Sequence, residues 1–232
     1  GETEEFLRLN PCVDVAVLGE GEVSCAEVLY CIRRSWFNRL GRLHTVPGIV
    51  FRSGRGVTRT SARERVKDVN QLPSPYLSGE FDAWFESPDY TVLETNRGCP
   101  YGCTYCDWGS ATLQKVSKFS LERVKQEIEY IAHRRADRVF IADANFGMLE
   151  QDVEIARALV DVRERTGYPK RLFTNFAKNG GRRLMQVVKI LNAGGLLPTG
   201  IIALQTTDAD TLKAIKRDNI KTSAYEKMME FF

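Results

Sequence analysis

The sequence predicts an α/β protein: a partial, parallel (βα) barrel preceded by a smaller α/β piece. Three observations carry this. From residue 90 onward, short β-branched runs alternate with stretches of helical period, about four times over. The joints between them are short, and repeated βα units with short joints make a parallel sheet covered by helices. Before residue 90 the order differs: a strand, a helix, a glycine-turned hairpin and a proline-bearing stretch. Eight βα units close a barrel, so four make half of one. The expected organisation is residues 1–60 as one part, 61–89 as a linker and 90–232 as the half barrel.

The elements follow in order. Residues 13–18 are short, apolar and rich in valine, a buried strand, and they stop at Gly19-Glu20-Gly21-Glu22. A helix to about residue 39 carries Val28, Leu29, Ile32 and Trp36 at helical spacing. The apolar runs 48–51 and 57–60 flank Ser53-Gly54-Arg55-Gly56, a hairpin with a glycine turn. Residues 61–89 hold Pro73, Pro75 and Pro88 and show no period. Strands are expected at 90–94, 138–142, 171–174 and 200–204. Ser120 caps a helix whose Leu121, Val124, Ile128 and Ile131 share a face. A helix over 149–165 ends at Gly167, and one over 182–192 ends at Gly194-Gly195. Asp208 caps a helix with Leu212 and Ile215, and a last helix begins near Ser223.

Composition excludes several classes. Apolar residues are 43% and charged residues 27%, ordinary for a globular chain and unlike a disordered one. The net charge of +3 gives no ground for expecting a nucleic-acid partner. Residues 1–90 carry 11 basic and 13 acidic side chains, net −2, which leaves +5 for the remainder. That asymmetry reads as a solvated surface rather than an anion site. No apolar run reaches the ~20 residues of a membrane span, and the opening Gly-Glu-Thr-Glu-Glu is not an export signal. The chain opens without Met and closes within a helical pattern, so it reads as a piece of a longer protein, not expected to be active alone.

In parallel α/β sheets chemistry sits at the carboxyl ends of the strands. The loops to read are therefore 95–109, 143–147, 175–179 and 205–208. The first holds Cys99, Cys103 and Cys106 within eight residues. Cys12, Cys25 and Cys31 are scattered through apolar stretches and read as buried small hydrophobes. Several chemistries compete for the clustered three. Structural zinc asks for four ligands, and neither His44 nor His133 follows zinc spacing. A ferredoxin cluster asks for four cysteines in another spacing. A redox dithiol would use Cys103 and Cys106 and leave Cys99 idle. Three thiolates on a four-iron cluster leave one iron open to a small substrate.

The run Cys99-Pro-Tyr-Gly-Cys103-Thr-Tyr-Cys106 resembles the hallmark of the radical SAM enzymes: Cys-x-x-x-Cys-x-x-Cys after the first strand of a parallel βα barrel, with an aromatic before the last cysteine. The resemblance implies that Cys99, Cys103 and Cys106 ligate a [4Fe–4S] cluster whose open iron is chelated by S-adenosylmethionine (SAM). One electron then cleaves SAM to methionine and a 5′-deoxyadenosyl radical, which takes a hydrogen atom from an unactivated carbon. The cofactor supplies the hard chemistry, and the protein supplies position and exclusion of water. Gly98 and Gly102 let the loop wrap closely. The backbone near Tyr105 is expected at the adenine. The family's Gly-Gly-Glu stretch is absent, and Asp143 and Asn145 stand in its place as SAM contacts. Gln205 matches a position facing ribose or substrate, and Thr174, Asn175 and Lys178 are candidates for the SAM carboxylate or the substrate.

The first ninety residues resemble the end of a Rossmann-like cobalamin-binding domain, which precedes the barrel in one large radical SAM class. A strand ending in Gly-Glu-Gly-Glu is usual there, and Gly19 and Glu20 are candidates for cobalamin contact. The Asp-x-His-x-x-Gly cobalt signature is not in this sequence. Trp36, Trp84 and Trp108 read as core or interface, with Trp108 singled out because it follows the cysteines. The reading implied is a cobalamin-dependent radical SAM methyltransferase acting on a small-molecule or peptide substrate. It would draw on an external electron donor of flavodoxin or ferredoxin type and work in the reducing cytoplasm. The alternatives are the same class doing cyclisation or rearrangement, and a non-catalytic zinc or electron-transfer module.

Overall fold

A computed structural model describes the chain except residues 35–41, 55, 84, 87–88, 107–114, 178–180, 197–198, 202–203, 218, 220–221 and 230–232. Trp36, Trp84, Trp108 and Lys178 lie outside the described residues. The chain divides into two compact units, Gly1–Lys67 and Asp68–Phe232.

The first unit holds α1 (Glu2–Leu9), β1 (Val15–Val17), α2 (Glu22–Arg34), β2 (Ile49–Ser53) and β3 (Gly56–Arg59). Helix α1 was not expected. Its first turn carries Glu2, Glu4 and Glu5 at the positive end of the helix dipole, and Leu7 is its one buried residue. Arg59 of β3 holds Glu4 with two parallel bonds, Nε to Oε1 at 2.6 Å and the second amino group to Oε2 at 3.0 Å. Arg52 of β2 donates to the carbonyls of Leu7, Asn10 and Val13, so one guanidinium satisfies the end of α1 and the turn after it.

The three strands pair antiparallel in the order β1-β2-β3, with Ala16 opposite Val50 and Phe51 opposite Thr58. The pairing of β1 with the hairpin has no signature in either strand. The buried stripe of α2 is Ser24, Val28 and Cys31, and Leu29 and Ile32 are exposed. The expected stripe was thus rotated by about one residue. For the same reason Cys25 is exposed, and Cys12 is exposed in the turn before β1; only Cys31 behaves as a buried hydrophobe.

The second unit is built on β4 (Tyr90–Leu93), β7 (Arg138–Phe146), β8 (Arg171–Phe176) and β9 (Thr199–Ile201), parallel and adjacent in that order. This is the open parallel sheet of a partial βα barrel. The two-residue strands β5 (Asn96–Arg97) and β6 (Ser117–Lys118) form a separate antiparallel pair. Helices α3 (Leu121–His133), α4 (Gln151–Thr166), α5 (Gly181–Ala193), α6 (Ala209–Ala214) and α7 (Thr222–Met229) complete the unit.

The caps are those read from sequence. Ser120 Oγ accepts from Arg123 N at 3.3 Å, and Asp208 accepts from Thr211 N at 2.8 Å. Gly167 closes α4 at φ +79°, a left-handed turn that favours glycine. The core is one cluster: Val124, Ile128 and Ile131 of α3, Ile155, Leu159 and Val162 of α4, and Leu184, Val188 and Leu191 of α5 meet the sheet through Val139, Ile141 and Leu172. Each such side chain contributes roughly 1.5–3 kcal/mol on burial. Within 68–89, Val69, Tyr76 and Phe85 are buried in this same core. No helix among the described residues is long and apolar enough to cross a membrane.

Strand β7 runs four residues beyond its expected end at 142. The expectation stopped there because Asp143 and Asn145 are polar, yet both are buried. Buried polar groups need partners, and theirs define the site.

Candidate functional site: the three-cysteine loop

Strand β4 ends at Leu93, and the chain turns through Thr95 and Asn96 into the cysteines. Asp143, fully buried on β7, holds this turn. Thr95 N and Asn96 N both donate to its Oδ1, at 2.8 and 3.2 Å. Asn96 Nδ2 donates to Oδ2 at 2.6 Å, and the Thr95 hydroxyl donates to the same oxygen. An ionised carboxylate has about four acceptor positions, so the loop base fills them. Burial pushes the Asp143 carboxyl up to about 7, and the bonds from Thr95 and Asn96 oppose that rise.

The loop then passes Gly98, at φ +116°. A Cβ there would lie 2.8 Å from the Lys115 carbonyl oxygen, backbone of the segment that pairs with Asn96 and Arg97. Cys99 and Cys103 are buried, Cys106 is half-buried, and none of the three is in a disulfide. Cys106 N donates to Cys103 O at 3.1 Å, a tight turn that joins the last two cysteines. Asn145 Nδ2 donates to Cys99 Sγ at 3.3 Å.

The loop tip is tied to the segment that follows α6. Thr104 N donates to the Ile215 carbonyl at 3.0 Å, and Arg217 donates to the Tyr105 hydroxyl at 2.6 Å. Arg217 is braced in turn by Asn219, whose amide reaches the carbonyls of Leu204 and Thr206. Partial burial raises the Tyr105 phenol, and the Arg217 charge works against that rise. Sequence reading missed Arg217 and Asn219. Their only signal was position after the fourth strand, since nothing local marks a partner 112 residues away.

Other expected residues are placed as follows. Gln205 is exposed beyond β9 at φ +66°, a conformation unusual for a non-glycine residue. Thr174 is buried in β8 with its hydroxyl 3.4 Å from the Ile141 carbonyl oxygen, and Asn175 is half-buried beside it. In the first unit Gly19 turns at φ +72° with open space where a Cβ would stand. Glu20 accepts from Arg65 Nε at 2.9 Å and from Val66 N at 2.8 Å.

Three cysteines on one loop, none in a disulfide and the first with an amide donor, fit a group bound through thiolates. Among the described residues no three His, Cys, Asp or Glu side chains converge on a single ion. A four-iron cluster asks for something different, one thiolate for each of three separate irons. The model of the radical SAM superfamily matches residues 93–231. The chain belongs to the radical SAM superfamily.

Among curated relatives, this radical SAM chain is 40% identical to the 2-(S-pantetheinyl)-carbapenam-3-carboxylate methyltransferase of Streptantibioticus cattleyicolor, covering 97% of the chain and 34% of the relative. It is 38% identical to the cobalamin-dependent radical SAM methyltransferase TokK of Streptomyces tokunonensis, covering 97% and 33%. The chain therefore spans about a third of the length of these relatives. Among solved structures it resembles the radical SAM methyltransferase TsrM of Kitasatospora setae, with TM-score 0.67, 16% identity, and coverage of 94% of this chain and 43% of that one. It also resembles the cobalamin-dependent SAM radical enzyme OxsB, with TM-score 0.59, 19% identity, and coverage of 92% and 31%. At these identities the structural likeness is one of fold.

One buried group near the loop stands apart. Asp152 opens α4, and its Oδ2 accepts from Gly147 N at 2.8 Å and Leu149 N at 2.9 Å. Its Oδ1 is buried without a partner. Burial raises this carboxyl to about 6, above the usual 3.8. A carboxyl raised on folding adds stability that is complete below the unfolded value near 4 and is lost as pH climbs through about 6. Two pH units correspond to about 3 kcal/mol at 1.36 kcal/mol per unit. The wild-type chain is expected to lose stability between pH 4 and 7 by up to about that amount relative to Asp152→Asn. Urea unfolding midpoints across this range would check it, and parallel curves for the two proteins would refute it.

Proposed function

We propose that this chain forms part of a cobalamin-dependent radical SAM methyltransferase, which transfers a methyl group to an unactivated carbon of a small-molecule or peptide substrate. The observation that carries the proposal is the loop itself: three cysteines in family spacing, none in a disulfide, following the first parallel strand. Two relatives named as methyltransferases, one of them cobalamin-dependent, support the methyl-transfer part. Cys99, Cys103 and Cys106 would hold the cluster. When bound, the cluster and SAM supply a 5′-deoxyadenosyl radical able to remove a hydrogen atom from carbon. The protein's own part is positional. Asp143 fixes the loop base, Arg217 fixes Tyr105 at the tip, and Asn145, which donates to Cys99, and Gln205 are the proposed SAM contacts. Glu20 shapes its turn through Arg65 and Val66, so Gly19, with open space beside it, is the better placed of the two to meet cobalamin. An electron donor of flavodoxin or ferredoxin type and a reducing cytoplasm complete the proposal.

Iron and acid-labile sulfide after anaerobic reconstitution test it. About four of each per chain are expected, since the cluster is [4Fe–4S], and none in the Cys99→Ala, Cys103→Ala, Cys106→Ala variant. In the full-length protein, SAM and a reductant should then yield 5′-deoxyadenosine and a methylated product, with cobalamin bound. Zinc without iron or sulfide would sink the reading. Product without a new methyl group would favour the cyclisation or rearrangement chemistry that the same architecture supports.

A further inference from the structure

Asn145 and Asp143 are two residues apart in β7 and both buried. They lie where the register of β7 against β8 shifts, between Ile141 and Phe146. They meet the cysteine loop at two successive places: Asp143 at Thr95 and Asn96, Asn145 at Cys99. Asp143 anchors backbone. Asn145 touches sulfur.

We propose that Asn145 is a positioning residue that donates its side-chain amide to the Cys99 sulfur and so raises the reduction potential of the cluster held there. This rests on the reading that Cys99, Cys103 and Cys106 bind a [4Fe–4S] cluster. An iron-bound thiolate carries no proton, so the sulfur can only accept, and the amide nitrogen is the end of Asn145 able to donate to it. A hydrogen bond to a ligating sulfur stabilises the more negative, reduced cluster over the oxidised one, and such bonds are among the determinants of cluster potential. The contact is buried, with Asn145 7% exposed, so water is poorly placed to replace the donor once it is removed. Asn145 is already fixed in a sheet strand, so little ordering is needed to make the bond.

The test is a redox titration followed by electron paramagnetic resonance on full-length protein, wild type against Asn145→Leu, which removes the donor and nearly keeps the size. The variant should hold as much iron and sulfide as wild type and show a more negative midpoint potential. An equal or higher midpoint with a full cluster overturns the inference. A wild type that binds no iron or sulfide overturns the cluster reading, and the inference with it. If the variant alone fails to load, a measurement without substitution decides. Wild-type protein labelled with side-chain 15N-asparagine should show a 15N coupling to the reduced cluster in pulsed resonance, and absence of that coupling overturns the inference.

Discussion

Asp143→Ala is expected to destabilise the second unit by about 3–5 kcal/mol and to abolish stable cluster loading. The substitution strands two backbone N–H groups, the Asn96 amide and the Thr95 hydroxyl, all held by one buried carboxylate. Each buried donor left without a partner costs about 1–3 kcal/mol, partly recovered as the site relaxes or admits water. Asp143→Asn should be milder, about 1–2 kcal/mol. One oxygen can still accept from Thr95 N and Asn96 N, but the new amide then faces the Asn96 amide, donor against donor. Denaturant midpoints of the two variants and their iron content after reconstitution give the ranking. Equal stability of wild type and Asp143→Ala would show that the carboxylate does not hold the loop.

Gly98→Ala should leave the helices intact and empty the cysteine loop of iron. The φ of +116° is one that L-residues rarely adopt, and strained backbone of this kind costs about 1–3 kcal/mol. The new Cβ also meets the Lys115 carbonyl at 2.8 Å and Val116 Cα at 3.2 Å. These are backbone atoms, so no side-chain rotation relieves the clash, and the β5–β6 pair must open instead. At 1.4 kcal/mol per factor of ten, the strain alone lowers the population of the binding-ready loop roughly 5- to 150-fold. Iron loading at limiting iron, with circular dichroism to confirm the helices, is the measurement. Full loading would mean that the loop tolerates another path beside residues 115–116.

How much of this was legible depended on whether the cause was local. Ser120, Gly167 and Asp208 are caps whose chemistry acts within three or four residues, and each lies where it was read. The βα alternation was legible because each helix carries its own apolar stripe. Cys99, Cys103 and Cys106 were legible because spacing alone defines the motif. What stayed hidden was pairing at a distance. The strands β5 and β6 are two residues each, Asn96-Arg97 and Ser117-Lys118, with no apolar alternation to betray them. The extension of β7 was hidden because Asp143 and Asn145 look like loop residues until their partners at 95, 96 and 99 are known. In α1 a single buried leucine is too thin a stripe to read. In α2 the boundary between Val28 and Leu29 turned on which side the hairpin packs.

The bonds from Ile215 and Arg217 to the loop tip also govern the order of events during synthesis. Thr104 and Tyr105 leave the ribosome more than a hundred residues ahead of the groups that secure them. At 5–20 residues per second that is a delay of roughly 6–22 s. Once Asp143 has emerged, the nascent chain carries three cysteines on a loop fastened at its base and not yet at its tip. Metal delivered early meets a ligand set whose last member is still moving. Only translation past residue 217 supplies the contacts that hold the tip.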